Sequence, residues 1–434
     1  MGYSAKVGSF NIDPEVTVGN TQSITDVGFE PKIVMLWWSG STATGDEVAG
    51  GNINIGFGAA IDSTHRFCIV ALSLDALATS DSYSCSKTTE IIRVYTNPTT
   101  IEGIADFSAM TADGFDIIID DQFAQAYRIN YLALGGDDLT NVFIGNNAMP
   151  VSVGNYNVEG IGFQPDAIVL AKINGNTSIE TPGSSAIINM GMATSATNQG
   201  AISIYGGDNL DTTDTIGYGY SGEVLDYISP GAGNYRESFV EFIADGFTLY
   251  HAEGAGARYY HYIALKGGQY SVGNILTRTD GNDIAETVGF QPAALLFAST
   301  NRAESTVQVP TDHARLSIGA ATSTTNRATQ AISDEDNLAD SETAHANYDT
   351  AVYAHVVDDD TAGIMDLKSI ESDGFTCVMD ENDASACWVT YLAIGAAEGE
   401  GGCVEVITAT VTETASIPVN VEVDVMCDEG GEPI

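Results

Sequence analysis

Apolar residues in this chain arrive in short runs broken by Gly, Asn, Asp, Ser and Thr. "KIVMLWW" from Lys32, "AIVLA" from Ala167 and "AALLFA" from Ala293 are compact, partly β-branched or aromatic, and bounded by polar turn residues. Runs of this length and flanking chemistry read as buried strands. Other segments alternate, as in "RYYHYIAL" from Arg258, the pattern of a strand with two unlike faces. No apolar stripe with helical period lies between them, so the pattern predicts antiparallel strands with little helix.

The runs recur with fixed landmarks. "VGFEP" at Val27, "IGFQP" at Ile161 and "VGFQP" at Val288 each precede a buried run. "DGF" follows at Asp113, Asp245 and Asp373, with glycine-to-glycine spacings of 86, 84 and 85 residues. Between them lie Asp75-Ala76-Leu77, Asp208-Asn209-Leu210 and Asp336-Asn337-Leu338, each preceded 17 residues earlier by Gly58, Gly191 or Gly319. "YLALGG", "YIALKGG" and "YLAIGA", from Tyr131, Tyr262 and Tyr391, close the copies. A period of about 130 residues exceeds a solenoid unit and fits a whole β domain. The expected fold is all-β: three tandem antiparallel β-sandwich repeats, jelly-roll-like or Greek key, of about eight strands each. They should span residues 1–136, 137–268 and 269–396, with each copy closing its own core. Each D-G-F segment should form a hairpin with the closing strand, its tip a variable loop ("DDQFAQ", "AEGAGA", "DENDAS"). Residues 397–434 stand apart as a C-terminal hairpin or anchor. Cys403–Cys427 alternates about Thr414-Ala415-Ser416, and such a hairpin needs another sheet, in its own chain or a neighbour.

Composition adds a constraint. Of 434 residues, 44% are hydrophobic and 46 are glycine, enough for a core and many turns. Fifteen Lys plus Arg against 59 Asp plus Glu give a net charge of −44, spread along the whole chain. Such a surface repels itself at low ionic strength and is relieved by salt. It matches proteins adapted to molar salt, and an ordinary acidic surface is the alternative. No basic stripe exists to bind nucleic acid. No apolar run approaches the roughly 20 residues that cross a bilayer, and "MGYSAKVGSF" does not read as a secretory leader.

Signatures of chemistry are mostly missing. There is no G-x-S-x-G, Walker loop or G-x-G-x-x-G. The histidines lack zinc-helix spacing and no C-x-x-C occurs, so zinc is not expected. The six cysteines pair by position as cross-strand disulfides, Cys68 with Cys85, Cys377 with Cys387 and Cys403 with Cys427; buried free thiols are the alternative. "VVDDDTAG" offers Asp358 and Asp360 to a loop cation, against the alternative of a solvated acidic loop. No cofactor is expected, although cations such as Mg, Ca, Na or K would suit acidic loops. Trp37, Trp38, Tyr218 and Tyr220 are contact aromatics, serving domain packing ahead of glycan stacking. With 59 acids, no carboxylate pair can be singled out for glycoside hydrolysis. The chain is therefore expected not to be an enzyme.

The G-F-x-P motif, its buried strand, D-G-F and the closing "YLALGG" resemble repeat units in structural proteins of tailed viruses, over Met1 to about Ala396. With the acidity, the resemblance implies a virion surface protein of a haloarchaeal tailed virus: a head turret, capsid decoration or tail fibre with a role in host attachment. It implies a homo-oligomer, contacts to other virion proteins and to host surface glycan or S-layer, no nucleic-acid or membrane partner, and assembly in the host cytoplasm. A secreted glycan-binding or glycan-cleaving protein of a halophile is the alternative. The resemblance implies no catalytic residues.

Overall fold

A computed structural model describes residues 2–173, 179–227, 235–253, 258–302 and 310–397. The terminal hairpin, Cys403 and Cys427 lie outside the described residues. What is described is all-β, in three units of matching strand order. Unit one contributes β1 (Tyr3–Asn11), β2 (Thr21–Ile24), β3 (Ile33–Trp38), β4 (Glu47–Gly50), β5 (Ile53–Ala60), β6 (Arg66–Ser73), β7 (Ser82–Lys87), β8 (Ile92–Asn97), β9 (Thr100–Thr111), β10 (Gly114–Asp121) and β11 (Arg128–Gly136). Its large sheet runs β1-β11-β3-β5-β6-β7, and its small sheet β2-β10-β9-β8. Units two and three repeat both orders, beginning at Asn141–Ala148 and Gln269–Leu276.

The spaced landmarks are the joints of this architecture. In unit one the Asp113 carboxylate accepts the backbone N–H of Gly28 at 2.7 Å, and Asp245 accepts that of Gly162 at 2.5 Å. D-G-F thus holds the G-F-x-P turn, whose glycines sit at φ +90, +86 and +88, a region open to glycine. The phenylalanines that follow, Phe115, Phe247 and Phe375, are buried between the sheets. Gly58, Gly191 and Gly319 let the edge strand of the small sheet rest on the large one. A Cβ there would meet the carbonyl oxygens of Ile91, Val224 and Val352 at 2.1, 1.7 and 2.1 Å.

The third landmark locks the units to each other. Each large sheet is extended by a short strand from another unit. Gly183–Ser184 of unit two joins β7, Thr311–Asp312 of unit three joins Thr215–Tyr220, and β4 of unit one joins Thr343–Tyr348. The D-x-L loops follow the same cyclic sense. The Asp208 carboxylate accepts Ser82 N–H at 3.0 Å, Asp336 accepts Thr215 N–H at 2.8 Å, and Asp75 accepts Thr343 N–H at 3.0 Å. The middle residues Ala76, Asn209 and Asn337 share φ values of 56, 58 and 59 and donate to the carbonyls of Ser341, Ser80 and Thr213. Two locks, each closing unit two on one, three on two and one on three, make the chain a pseudo-three-fold ring.

The ring corrects two expectations. Closing a core does not complete a unit: each has its own core between its two sheets, and the outer faces of all three large sheets also meet in one hydrophobic core that includes Met35, Trp37, Phe57, Val169, Ile188, Leu296 and Ile318. This explains why β5 and its counterpart Ala186–Ala193 are buried at every position: both faces are covered. The D-G-F segment also does not pair with the closing strand. β10 lies in the small sheet and β11 in the large one, between β1 and β3. The connection crosses the sandwich, and the same holds in units two and three.

Candidate functional site

Three copies of one backbone provide an internal control: a side chain needed only for the fold should recur. Across the large sheet of unit two, on four adjacent strands, Lys172 pairs with Asn189, Asn189 with Ser203, and Ser203 with Tyr218. Directly paired residues point to one face, so these four form a polar row facing the small sheet. All four are buried. The same row in unit one is Trp38, Gly56, Val70 and Cys85, and in unit three Ser299, Ser317, Ala331 and Ala346.

The small sheet of unit two answers with charge. Glu237 and His251 face each other across neighbouring strands, fully buried, with His251 Nδ1 2.6 Å from Glu237 Oε1. Glu237 occupies the position of Ala105 and Met365, the residues whose carbonyls receive the edge-strand N–H of Ile91 and Val352. His251 stands where the other units place Ile119 and Met379, five residues after the D-G-F glycine. Glu223 and Asp226, on the edge segment, are buried as well. Arg236 lies 3.5 Å from Glu223, and Tyr156 Oη lies 3.2 Å from Tyr260 Oη. Arg302 of unit three places its guanidinium 5.1 Å from the Tyr218 ring centroid, so a neighbour contributes to the wall.

Burial brings several of these groups toward neutrality. Desolvation raises Glu237 to about 8, opposed by the Tyr156 hydrogen bond and the Lys172 charge. It raises Glu223 to about 8, reinforced by Asp226. It lowers Lys172 to about 8, opposed by Asp226, and lowers His251, helped by Lys172. Among the described residues, His251 Nε2, Ser203 Oγ and both amide atoms of Asn189 have no hydrogen-bond partner. The site therefore has hydrogen-bonding capacity left for a small polar guest. No hydroxyl is bonded to His251 Nε2, so this histidine activates no nucleophile in the site.

A second cluster lies in unit three. Among the described residues, the one trio of His, Cys, Asp or Glu side chains whose ligand atoms all lie within 4.8 Å of one another is His355, Asp383 and Cys387. His355 Nδ1 is 2.8 Å from Asp383 Oδ1 and 3.6 Å from Cys387 Sγ. The Tyr353 hydroxyl donates to Asp383 Oδ2 at 3.0 Å, and that of Thr277 donates to the same oxygen. Arg315, forked onto Glu335, brings Nη1 within 3.4 Å of His355 Nε2. Burial, then the Asp383 charge, pushes the Cys387 thiol up to about 12, so as a free thiol it is no nucleophile.

Of the residues singled out from sequence, Tyr218 stands in the polar row and Cys387 in the trio, while the others lie elsewhere. Cys68, Cys85, Cys377 and Cys387 are free, not disulfide-bonded. Cys68 pairs with Lys87 and Cys85 with Val70, so those two are offset by two residues. Cys377 and Cys387 lie on opposite sides of the crossing between sheets. Asp358 sits in the turn before Thr361 at φ +52, and Asp360 Oδ1 accepts the Thr361 N–H; neither belongs to a ligand trio among the described residues. Trp37 is buried in the core shared by the ring and Trp38 in the interior of unit one, so both faces of β3 are covered. Tyr218 is buried in unit two beside the half-buried Tyr220. What sequence reasoning passed over was Glu237, His251 and Lys172. Their signal was available: strand positions at which one copy departs from the other two.

No protein-family model matches the chain, and no curated protein matches it.

Proposed function

We propose that the chain is a structural protein on the surface of a virus particle, a head turret, capsid decoration or tail fibre, and that it contributes to host attachment. The observation that carries this reading is the cyclic exchange of edge strands, which makes three sandwiches one closed body. With the large sheets covered on both faces, no layer is free to slide, as suits a rigid display element. Beyond the rim loops, the buried polar groups that set one unit apart lie chiefly in the interior of unit two, which serves in this reading as the recognising element on a scaffold of three units. The charge of −44 fits a particle that meets molar salt and a haloarchaeal host. Partners in this reading are further copies, other virion proteins, and a host surface glycan or S-layer. The protein would be made in the host cytoplasm and carried on the particle.

The competing reading, a secreted glycan-binding or glycan-cleaving protein of a halophile, draws on one observation, the polar interior of unit two. Trp37, Trp38 and Tyr218 offer it nothing, since buried rings cannot stack on sugar. Density-gradient particles from a culture carrying the gene decide between the two. The expected result is co-sedimentation of the chain at a fixed copy number, with antibody labelling on the particle exterior. Recovery only as free protein, together with reducing-sugar release or glycan binding in molar salt, would replace this reading with its competitor.

A further inference from the structure

We infer that His355, Asp383 and Cys387 form a binding site for a borderline divalent transition-metal ion, zinc being the best fit. The repeated units again supply the control. His355 pairs across its sheet with Gly363, as Val94 pairs with Gly103. A Cβ on Gly363 would strike the Asp383 carboxylate at 2.1 Å, and one on Gly103 the Phe123 ring at 2.3 Å. The carbonyl of Cys387 receives the N–H of Thr277, as that of Tyr127 receives the N–H of Ile12. Unit one therefore fills this place with Val94, Phe123 and Tyr127, a buried apolar plug. Unit three has exchanged all three for donor groups on an unchanged backbone. One such exchange is ordinary drift; three converging on a single point define a donor set.

The set is nitrogen, oxygen and sulfur, which suits zinc and its neighbours and does not suit Mg or Ca. With sulfur at about 2.3 Å and nitrogen and oxygen at about 2.0 Å, a tetrahedral centre spaces its donors by roughly 3.3–3.6 Å. The Cys387–His355 separation of 3.6 Å meets that spacing. The His355–Asp383 separation of 2.8 Å is a hydrogen bond that must open by about half an ångström. Asp383 is already oriented as a ligand, because Tyr353 and Thr277 hold Oδ2 and leave Oδ1 turned toward the trio. Outer partners of this kind fix a ligating carboxylate.

The charges balance. Binding forms the metal–sulfur bond and sends the thiol proton of Cys387 to solvent, so a dication, a thiolate and a carboxylate sum to zero in a buried place. The imidazole stays neutral, its proton moving from Nδ1 to Nε2, and Arg315 gives up its contact there while keeping its fork on Glu335. Thr277 and Ala386, next to Cys387, line a cleft of about 630 Å³ that offers a route in and room for water as fourth ligand.

Cobalt(II) added to the metal-free full-length chain in molar KCl, which suppresses binding to the acidic surface, tests the site. The expected result is one equivalent per chain, read by the ultraviolet sulfur-to-cobalt charge-transfer band and visible bands of tetrahedral intensity, and displaced by zinc. Cys387→Ser should abolish the sulfur band, His355→Gln and Asp383→Asn should each weaken binding at least tenfold, and Cys377→Ser should change nothing. Absence of a sulfur band in the native chain overturns the inference whatever the variants do. So does a band that survives Cys387→Ser.

Discussion

Units one and two share a backbone and differ in what they keep inside it. Where unit one packs Trp38, Val70, Ala105, Ile119 and Ile129, unit two packs Lys172, Ser203, Glu237, His251 and Tyr260. The strand order, the D-G-F joint and the cyclic locks are the same around both interiors. The apolar interior is therefore sufficient for this fold, and the polar one is an addition to it. Burying ionisable groups costs free energy that pairing recovers only in part. A unit that carries such a cost beside an apolar version of itself has another use for those groups.

The largest expected effect concerns what the two units have in common. Unit one has the conventional interior, yet the outer face of its large sheet is built for the ring, with Met35, Trp37, Phe57 and Ile69 in the shared core. Cut out as residues 2–136, it should fail to fold, exposing an apolar patch well beyond the few hundred Å² that monomers tolerate. Dispersed amide proton NMR signals and a cooperative melt of this fragment at micromolar concentration would show instead that an apolar interior makes a unit independent.

Next in size is a broken pair. His251→Ile places the residue of unit one opposite an unchanged Glu237, leaving a buried carboxyl without its imidazole. The full-length chain should lose about 2–3 kcal/mol. Ile119→Val at the matching position, where only a methylene is lost, should cost about 1 kcal/mol. Chemical denaturation of both variants in molar KCl measures the difference.

The pH dependence separates the interiors more finely. Glu237 rises from 4.5 to about 8 on folding, and so does Glu223, so the folded chain holds protons that the unfolded chain has released. Their stabilisation is complete below about pH 4.5 and is lost as pH rises toward 8. Lys172 has the opposite sense: lowered from 10.5 to about 8, it favours folding above 10.5 and loses that contribution as pH falls through 8. The combined contribution of these three groups should pass through a minimum near pH 8. Replacing Glu237 and His251 together by Ala and Ile should make the fall from pH 5 to 8 shallower, as thermal melts across that range would show.

Much of the architecture was legible in the chain, and the reason is mechanical. The landmarks with constant spacing are the joints: Asp113 must reach Gly28, and Gly58 must sit under Ile91, whatever lies between. The ring was not legible. Gly183–Ser184 and Thr311–Asp312 are two-residue strands with no apolar pattern, and "KIVMLWW" records that both of its faces are covered without recording by what. Cys377 and Cys387 misled because a turn signal between two strands does not distinguish a hairpin from a crossing between sheets. The polar interior is not legible because retained letters read as fold and variable loops as function. Glu237 and His251 are neither, being variable residues at buried strand positions.

The central claim is that unit two carries its charged interior at a cost in stability. Calorimetry of the full-length chain and of Glu237→Ala/His251→Ile, in molar KCl at pH 8, tests it most directly. Removing both partners and restoring the residues of unit one should raise the unfolding free energy by about 1–3 kcal/mol, with one cooperative transition in both proteins. A double variant less stable than the native chain would contradict the account, because the pair would then be part of what holds unit two together.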